Sequence, residues 1–329
     1  MSNERISTSM NRWNKNYQYI FYAALIVVLA LIPVFVSSPF MIHICILTLV
    51  YIIATTSLRL VMTSGQFPLA HAAFMGIGAY SSAMISKYWG WSPWLTIPIG
   101  ALLAMGLGVF IGFPFSKLRT FYYAMVSVFF GAGIVQVIVA FGKYTGGSGG
   151  LAGIPTLFGA TSKIPYFYFF LALTVVSVII MYRLEFSRFG LNLKAIDQSY
   201  LVAGSIGINE ARNRVVVLGI GCFFAGLAGA AYSAYNMGIS PTNIDMTATL
   251  WLVLYVVVGG MGNFAGPIIG TIFLYMVPQF YRGLKEYTPF LTAGLLFIVI
   301  FFIPKGIVSL PKIIWLKFKE RKTKREISQ

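Results

Sequence analysis

Two histidines, two cysteines and eight acidic residues are the side chains best suited to chemistry in this 329-residue chain. Their spacing offers little of it. His43 and His71 are too far apart for an H-x-x-x-H pair, and Cys45 and Cys222 lie in separate apolar runs. The cysteines therefore supply neither a metal spacing nor a disulfide framework. No acidic residue lies deep in an apolar run; Asp245 and Glu286 stand at the edges of such runs. Paired carboxylates, a nucleophile beside a base and a metal cluster are all absent from the pattern. The glycine-rich stretch Thr145-Gly146-Gly147-Ser148-Gly149-Gly150 lacks the G-K-[ST] ending of a phosphate loop, and no Walker A motif occurs elsewhere. The chain is not expected to be an enzyme, to bind ATP by a P-loop or to carry a cofactor.

What remains is a small set of polar groups inside apolar sequence. The segment Thr63 to Gly78 places Gln66, Pro68 and His71 at membrane depth, where non-helical backbone needs a buried or water-lined setting. We read Gln66 and His71 as candidates for a solute passage, with Gly65 allowing close backbone approach. A membrane histidine is more often a hydrogen-bonded packing residue than a proton relay, and proton-coupled carriers need ionisable groups within the membrane. Gln136 fits an interhelical hydrogen bond, worth about 0.6 kcal/mol.

The elements that must hold these groups are membrane helices. The chain is 58% apolar and 10% charged, against about 25% charged in soluble domains, and its mean hydropathy is +0.81. Stretches of about 20 apolar residues span a bilayer. Ten candidates occur, at 17–36, 40–62, 67–86, 93–115, 120–141, 164–182, 214–237, 245–261, 264–281 and 288–304. The third and eighth are short or interrupted by Gly and Pro. The expected class is an all-α polytopic membrane protein: a cytoplasmic N-terminal tail (1–16), a membrane domain (17–304) with a cytoplasmic loop (183–213), and a basic cytoplasmic tail (305–329). With both termini inside, 19 of the 24 Lys and Arg residues face the cytoplasm and 5 face outward, as the positive-inside rule demands. This placement accounts for the net charge of +16 without nucleic acid, and the basic tail suits anionic lipid headgroups. Two groups of four spans flank the sixth span and the long loop, an arrangement compatible with inverted repeats. Gly65-Gln66-Phe67-Pro68 before the third span echoes Gly238-Ile239-Ser240-Pro241 before the eighth.

One long polar stretch, Arg183 to Arg214, interrupts this apolar chain. Eight of its residues are charged, and each would cost about 2.5–3.5 kcal/mol at the centre of a spanning helix. Apolar residues nevertheless recur through it, at Leu191, Leu193, Ile196, Tyr200, Leu201, Ile206 and Ile208. Ser199 or Asp197 can cap a short helix, Gly204 and Gly207 can end one, and Asn209-Glu210 fits the start of the next. Two short amphipathic helices at the membrane surface are expected, in the form of a docking platform. The competing reading is a solvated connector.

These motifs, in series, resemble the branched-chain amino acid ABC transporter permeases of the LivM type. The matching stretches include Gly65-Gln66 through Leu69, His71-Ala72-Ala73-Phe74, Gly76-Ile77-Gly78-Ala79-Tyr80 and Leu118 to Met125. Thr145 to Pro155, Ser187-Arg188-Phe189-Gly190, Lys194-Ala195-Ile196 and Gly207-Ile208-Asn209 continue the series. Phe223 to Ala230, Gly238 to Pro241, Gly259 to Gly262 and Gly266-Pro267 complete it. The family usually has Ser and Gly where this chain has Pro68 and Ala70, and often an acidic pair and an Ala-rich run where this chain has Asp197-Gln198-Ser199-Tyr200.

The resemblance implies a type II importer-like permease of about ten spans in a bacterial cytoplasmic (inner) membrane. Its implied partners are two cytoplasmic ATP-binding subunits, a second homologous permease of the LivH type and an extracytoplasmic substrate-binding protein. The family's ATPase-coupling segment falls on Gly190 to Asn209, with Gly190, Lys194, Ile196, Asp197, Ala203, Gly204 and Ile208 as the coupling candidates. Relatives of the family carry urea, short amides and other amino acids, so urea or amide transport stands beside branched-chain amino acid transport. A passive channel or stand-alone carrier is the alternative from another class.

Overall fold

The computed structural model describes residues 38–118, 120–159 and 162–280, together with 290, 293–294, 297, 301 and 306–309. The N-terminal tail, the 17–36 span, most of the 288–304 span and nearly all of the basic tail lie outside the described residues. Ten helices are used below: α1 Pro39–Met62, α2 His71–Trp89, α3 Pro93–Phe115, α4 Thr120–Ala140, α5 Ile164–Glu185, α6 Arg188–Gln198, α7 Tyr200–Ser205, α8 Glu210–Asn236, α9 Met246–Gly259 and α10 Gly266–Thr271. After α10 the chain continues as a π-helical turn, Ile272–Met276, and a last helical turn, Val277–Phe280. The chain is a polytopic α-helical membrane protein. Among the described residues six helices are long and apolar enough to cross a membrane. The expected third and ninth spans are not among these six.

The helix ends follow from local chemistry. Pro39 and Pro93 open α1 and α3, where a missing N–H costs nothing. Asn209 caps α8 by accepting from Arg212 N at 2.9 Å, and Asp245 caps α9 by accepting from Ala248 N at 2.9 Å. The first helix of the polar loop, α6, ends at Ser199, whose hydroxyl caps α7 by accepting from Val202 N. α2 begins at His71, four residues beyond the expected start at 67. Gly65 adopts a left-handed φ of +75° and Pro68 has no N–H, so residues 63–70 form a turn.

The bundle is organised around α8. This helix packs most extensively on α3, α2 and α1, and α2 also packs on α3. In lipid, such contacts rest on close van der Waals approach at small residues. A Cβ at Gly78 of α2 would collide with the backbone of Gly226 in α8. Gly108 and Gly112 of α3 face Cys222, Leu218 and Val215 of the same helix. Of the spaced glycines Gly262, Gly266 and Gly270, the last two pack against the α9 end, whereas Gly262 meets nothing.

A two-stranded antiparallel ribbon, β1 Leu151–Ala152 and β2 Gly238–Ile239, joins the glycine-rich segment to the chain leaving α8. The starts of α2 and α9 also meet. Ala72 N donates to Thr249 Oγ1 at 3.2 Å, and Gly76 lies against Ile244. The two segments that echo each other in sequence therefore lead into helices that touch.

The glycine seam yields a paired prediction. Gly78→Val forces a side chain into the α8 backbone and will lower the thermal midpoint of the purified protein, by an overpacking cost of about 1–3 kcal/mol. Gly106→Val, at a position with open space around it, will leave the midpoint near wild type. Equal midpoints for the two variants would show that the α2–α8 contact does not limit stability.

Candidate functional site

The polar loop is fastened to the bundle by an ion cluster. Arg59, in the last turn of α1, pairs with Glu185, the last residue of α5; their side chains are 3% and 2% exposed. The contact is two-pronged, with Nη1 on Oε2 and Nη2 donating to Oε1 at 3.0 Å. Arg59 Nε donates to the carbonyl of Met261 at 3.0 Å, and its guanidinium lies 5.8 Å from the centre of the Phe264 ring. Lys194 of α6 brings a second cation to Glu185 Oε1, at 3.3 Å, while resting over the Phe186 ring. Three segments (α1, α5 and α6) thus meet at one buried carboxylate, and the α9–α10 turn holds the Arg59 that faces it.

Gly190 explains how α6 comes so close. A Cβ there would occupy the position of the Glu185 carbonyl. Leu193, Ile196 and Ala203 turn inward and are buried. Ile208 N donates to Ala203 O at 3.0 Å, and Gly207 N to Gly204 O at 3.0 Å, closing α7 before α8 begins. Arg214 holds the other end of the loop: it pairs with Glu210 and reaches Ser116 O at 3.5 Å.

The coupling candidates from sequence therefore divide by position. Gly190, Ile196 and Ala203 face the bundle, Lys194 is half-exposed on Glu185, Ile208 is half-buried, and Asp197 and Gly204 are exposed. Leu191, Tyr200, Leu201, Val202 and Ile206 supply the exposed apolar surface.

The passage candidates are likewise placed. Gly65 sits against the loop: a Cβ on it would lie 2.9 Å from Asp197 Oδ1. Its carbonyl accepts from Thr120 Oγ1 at 2.8 Å. Partial burial pushes the Asp197 carboxyl above its ordinary range, and the Arg214 guanidinium pulls it back down. Gln66 and His71 are fully buried. His71 Nε2 meets Ser57 Oγ at 2.9 Å, while His71 Nδ1 and Gln66 Oε1 have no hydrogen-bond partner among the described residues. Gln136 is exposed. Neither Gln66 nor His71 belongs to the wall of the cavity beside α9.

That cavity, of about 460 Å³, is bounded by α9, the π-helical turn after α10, Tyr51 of α1, and Ala72 and Met75 of α2. Its wall carries Asp245 and an aromatic group in which Tyr51 stands 4.9 Å from Tyr275 and 6.3 Å from Tyr255, ring centre to ring centre. Sequence reading missed both this wall and the Arg59–Glu185 pair. A signal for the pair existed: Arg59 falls inside the 40–62 stretch, and a charge within a spanning helix has a partner by default. The aromatic wall had none, because tyrosines are spread over the whole chain.

Breaking the pair from one side strands a buried charge, at a cost of about 3–5 kcal/mol, whereas removing both charges is often neutral. Glu185→Ala will therefore lower the thermal midpoint sharply, and Arg59→Met combined with Glu185→Leu will recover most of the loss. A double variant as unstable as Glu185→Ala would refute the pairing.

The family model described as "Branched-chain amino acid transport system / permease component" matches residues 40–304. The high-affinity branched-chain amino acid transport system permease protein LivM of Escherichia coli (strain K12) is 28% identical over 323 residues, covering 90% of this chain and 76% of its own. The LivM protein of Salmonella typhimurium is 27% identical over 331 residues, covering 91% and 78%. The fructose import permease protein FruF of Bifidobacterium longum is 24% identical over 238 residues, covering 69% and 66%. No solved structure matches the chain. The family is a transport component rather than a catalytic one, and the chain belongs to it: it is a member of the branched-chain amino acid permease family of ABC transporters.

Proposed function

We propose that this chain is the permease subunit of an ATP-driven importer for branched-chain or related amino acids, with ten spans and both termini in the cytoplasm. It pairs with a second, homologous permease. Two cytoplasmic ATP-binding subunits drive it, and an extracytoplasmic binding protein delivers its solute. The observation that carries this reading is the two-faced loop. Leu193, Ile196 and Ala203 pack into the bundle, while Leu201 and Ile206 stand 69% and 70% exposed on a segment pinned by Glu185. An exposed apolar surface on an ion-locked loop fits a protein groove better than water. ATP closure acts on the permease only through contacts that differ between two states, and a rigid loop passes such contacts on as rigid-body movement.

The inward candidates Gly190, Lys194, Ile196 and Ala203 hold the loop to the bundle in this reading. Leu201, Val202 and Ile206, beside exposed Asp197 and Gly204, meet the ATPase, and Ile208 joins α7 to α8. Leu201→Asp will abolish both ATPase co-purification and uptake of radiolabelled L-leucine in cells carrying the full transporter, without loss of membrane insertion. Ala203→Trp will abolish uptake by prising α7 off the bundle. Wild-type uptake by Leu201→Asp would sink the docking surface, and uptake that survives ATP depletion would favour a passive channel or stand-alone carrier.

Orientation has its own check. An impermeant maleimide will label Val202→Cys in permeabilised cells and not in intact ones. Labelling in intact cells would place the loop outside and end the scheme.

A further inference from the structure

The cavity beside α9 has a chemical character that the permease reading does not specify. Its wall is mostly aromatic and aliphatic, with Tyr51, Trp251, Tyr255, Tyr275 and Leu274 among its members. Among the described residues, Asp245 is the one formally charged group on that wall, and no Lys or Arg lines it. Of the Asp245 carboxylate, Oδ1 is held by Ala248 N at 2.9 Å. An anion in this space would meet a carboxylate with no compensating cation. An ammonium group would meet a carboxylate and the faces of several π systems, both of which attract it. The volume of about 460 Å³ falls within the range of small-molecule pockets, about 300–1,000 Å³. The backbone adds a second observation. Leu274 and Tyr275 enter the wall from the π-helical turn Ile272–Met276, and single π turns inside helices recur at functional sites.

We propose that this cavity is a transit subsite for a small solute that joins a primary ammonium group to an apolar body, with Asp245 receiving the ammonium and the Tyr51–Tyr255–Tyr275 group receiving the body. The inference rests on the permease reading for its purpose and deepens it by naming the end of the solute that this chain recognises. A free amine of suitable size binds there at least as well as an amino acid does, and the corresponding carboxylic acid without an amine does not.

The test is thiol protection in membranes containing the full chain, with Cys45 and Cys222 replaced by Ala and Thr247→Cys introduced on the cavity wall. L-leucine and isoamylamine will each slow labelling by a small maleimide by at least about fivefold at saturation, and 4-methylpentanoate will not. Asp245→Asn will remove the protection. Asparagine caps a helix as well as aspartate does, so the start of α9 is kept, and an unchanged thermal midpoint will verify it. Protection by neither amine, equal protection by all three compounds, or protection that survives Asp245→Asn overturns the subsite. The labelling needs no ATPase, so a failure of ATP-driven uptake would remove the importer reading while the protection pattern still decides whether the cavity binds the ammonium.

Discussion

A guanidinium and a carboxylate locked together out of water, Arg59 on Glu185, set the terms for the end of the bundle that carries the polar loop. Neither group is at home there alone. Removal from water costs several kcal/mol per ion, and only good geometry with further hydrogen bonds offsets it. The structure provides these: a two-pronged contact, the Met261 carbonyl on Arg59 Nε, and Lys194 on the free side of Glu185. The pair has little value as a source of stability, since packed apolar residues would serve as well. Its value lies in specification. A carboxylate that must be shared by α1, α5 and α6 admits few alternative positions for the loop, and Gly190 removes the side chain that would hold α6 away from it.

The membrane part is held by a different interaction. Lipid offers no hydrophobic drive to bring helices together, so α8 holds its central place through close approach. Gly226 lies against Gly78, and Cys222 against Gly108. Polar groups inside the bundle bridge its helices: Thr55 Oγ1 lies 2.9 Å from Thr271 Oγ1, Ser82 donates to Thr96 at 2.9 Å, and Thr174 donates to the Leu49 carbonyl at 3.1 Å. Each ties a different pair of helices, and none exposes a charge to the apolar interior. Arg59, Glu185, Lys194 and Arg214 gather instead at the end of the bundle that meets the polar loop.

What could be read from sequence was what depends on neighbours along the chain. Ser199 and Asn209 cap α7 and α8 because a side chain and an N–H three residues on are enough to make a cap. The starts and ends of α3, α4 and α9 fell within two residues of expectation because apolar runs bounded by polar residues mark them. Long-range pairings were not legible. Nothing near Gly65 in sequence says that Asp197 will lie against it. Gln66 and His71 could be recognised as polar groups in apolar surroundings, but that His71 meets Ser57 depends on how α1 packs. Ile196 was legible as an apolar member of an amphipathic loop, and Ala203 only through the family resemblance. Which of the two faces is the inner one is decided by the buried pair and by Gly190, neither of which shows a helical period.

Helix α1 gives the two ends of the molecule a common rigid element. Tyr51 stands in the cavity wall, Ser57 holds His71, and Arg59 holds Glu185. Eight residues of helix separate the first from the last, about 12 Å along the axis. Displacement of α6 pulls on Glu185 through Lys194, and a Glu185 that followed would strand Arg59, so these two contacts link the loop to α1. A movement of α1 then alters the spacing of Tyr51 against Tyr255 and Tyr275, which belong to α9 and to the π-helical turn and are not tied to that carboxylate through their own side chains. A π turn has a looser hydrogen-bond ladder than the α-helix around it, and it is the segment best able to yield when the wall opposite it shifts. In the proposed importer, the Lys194–Glu185–Arg59 contacts are therefore the route by which a movement of the loop would reach the cavity.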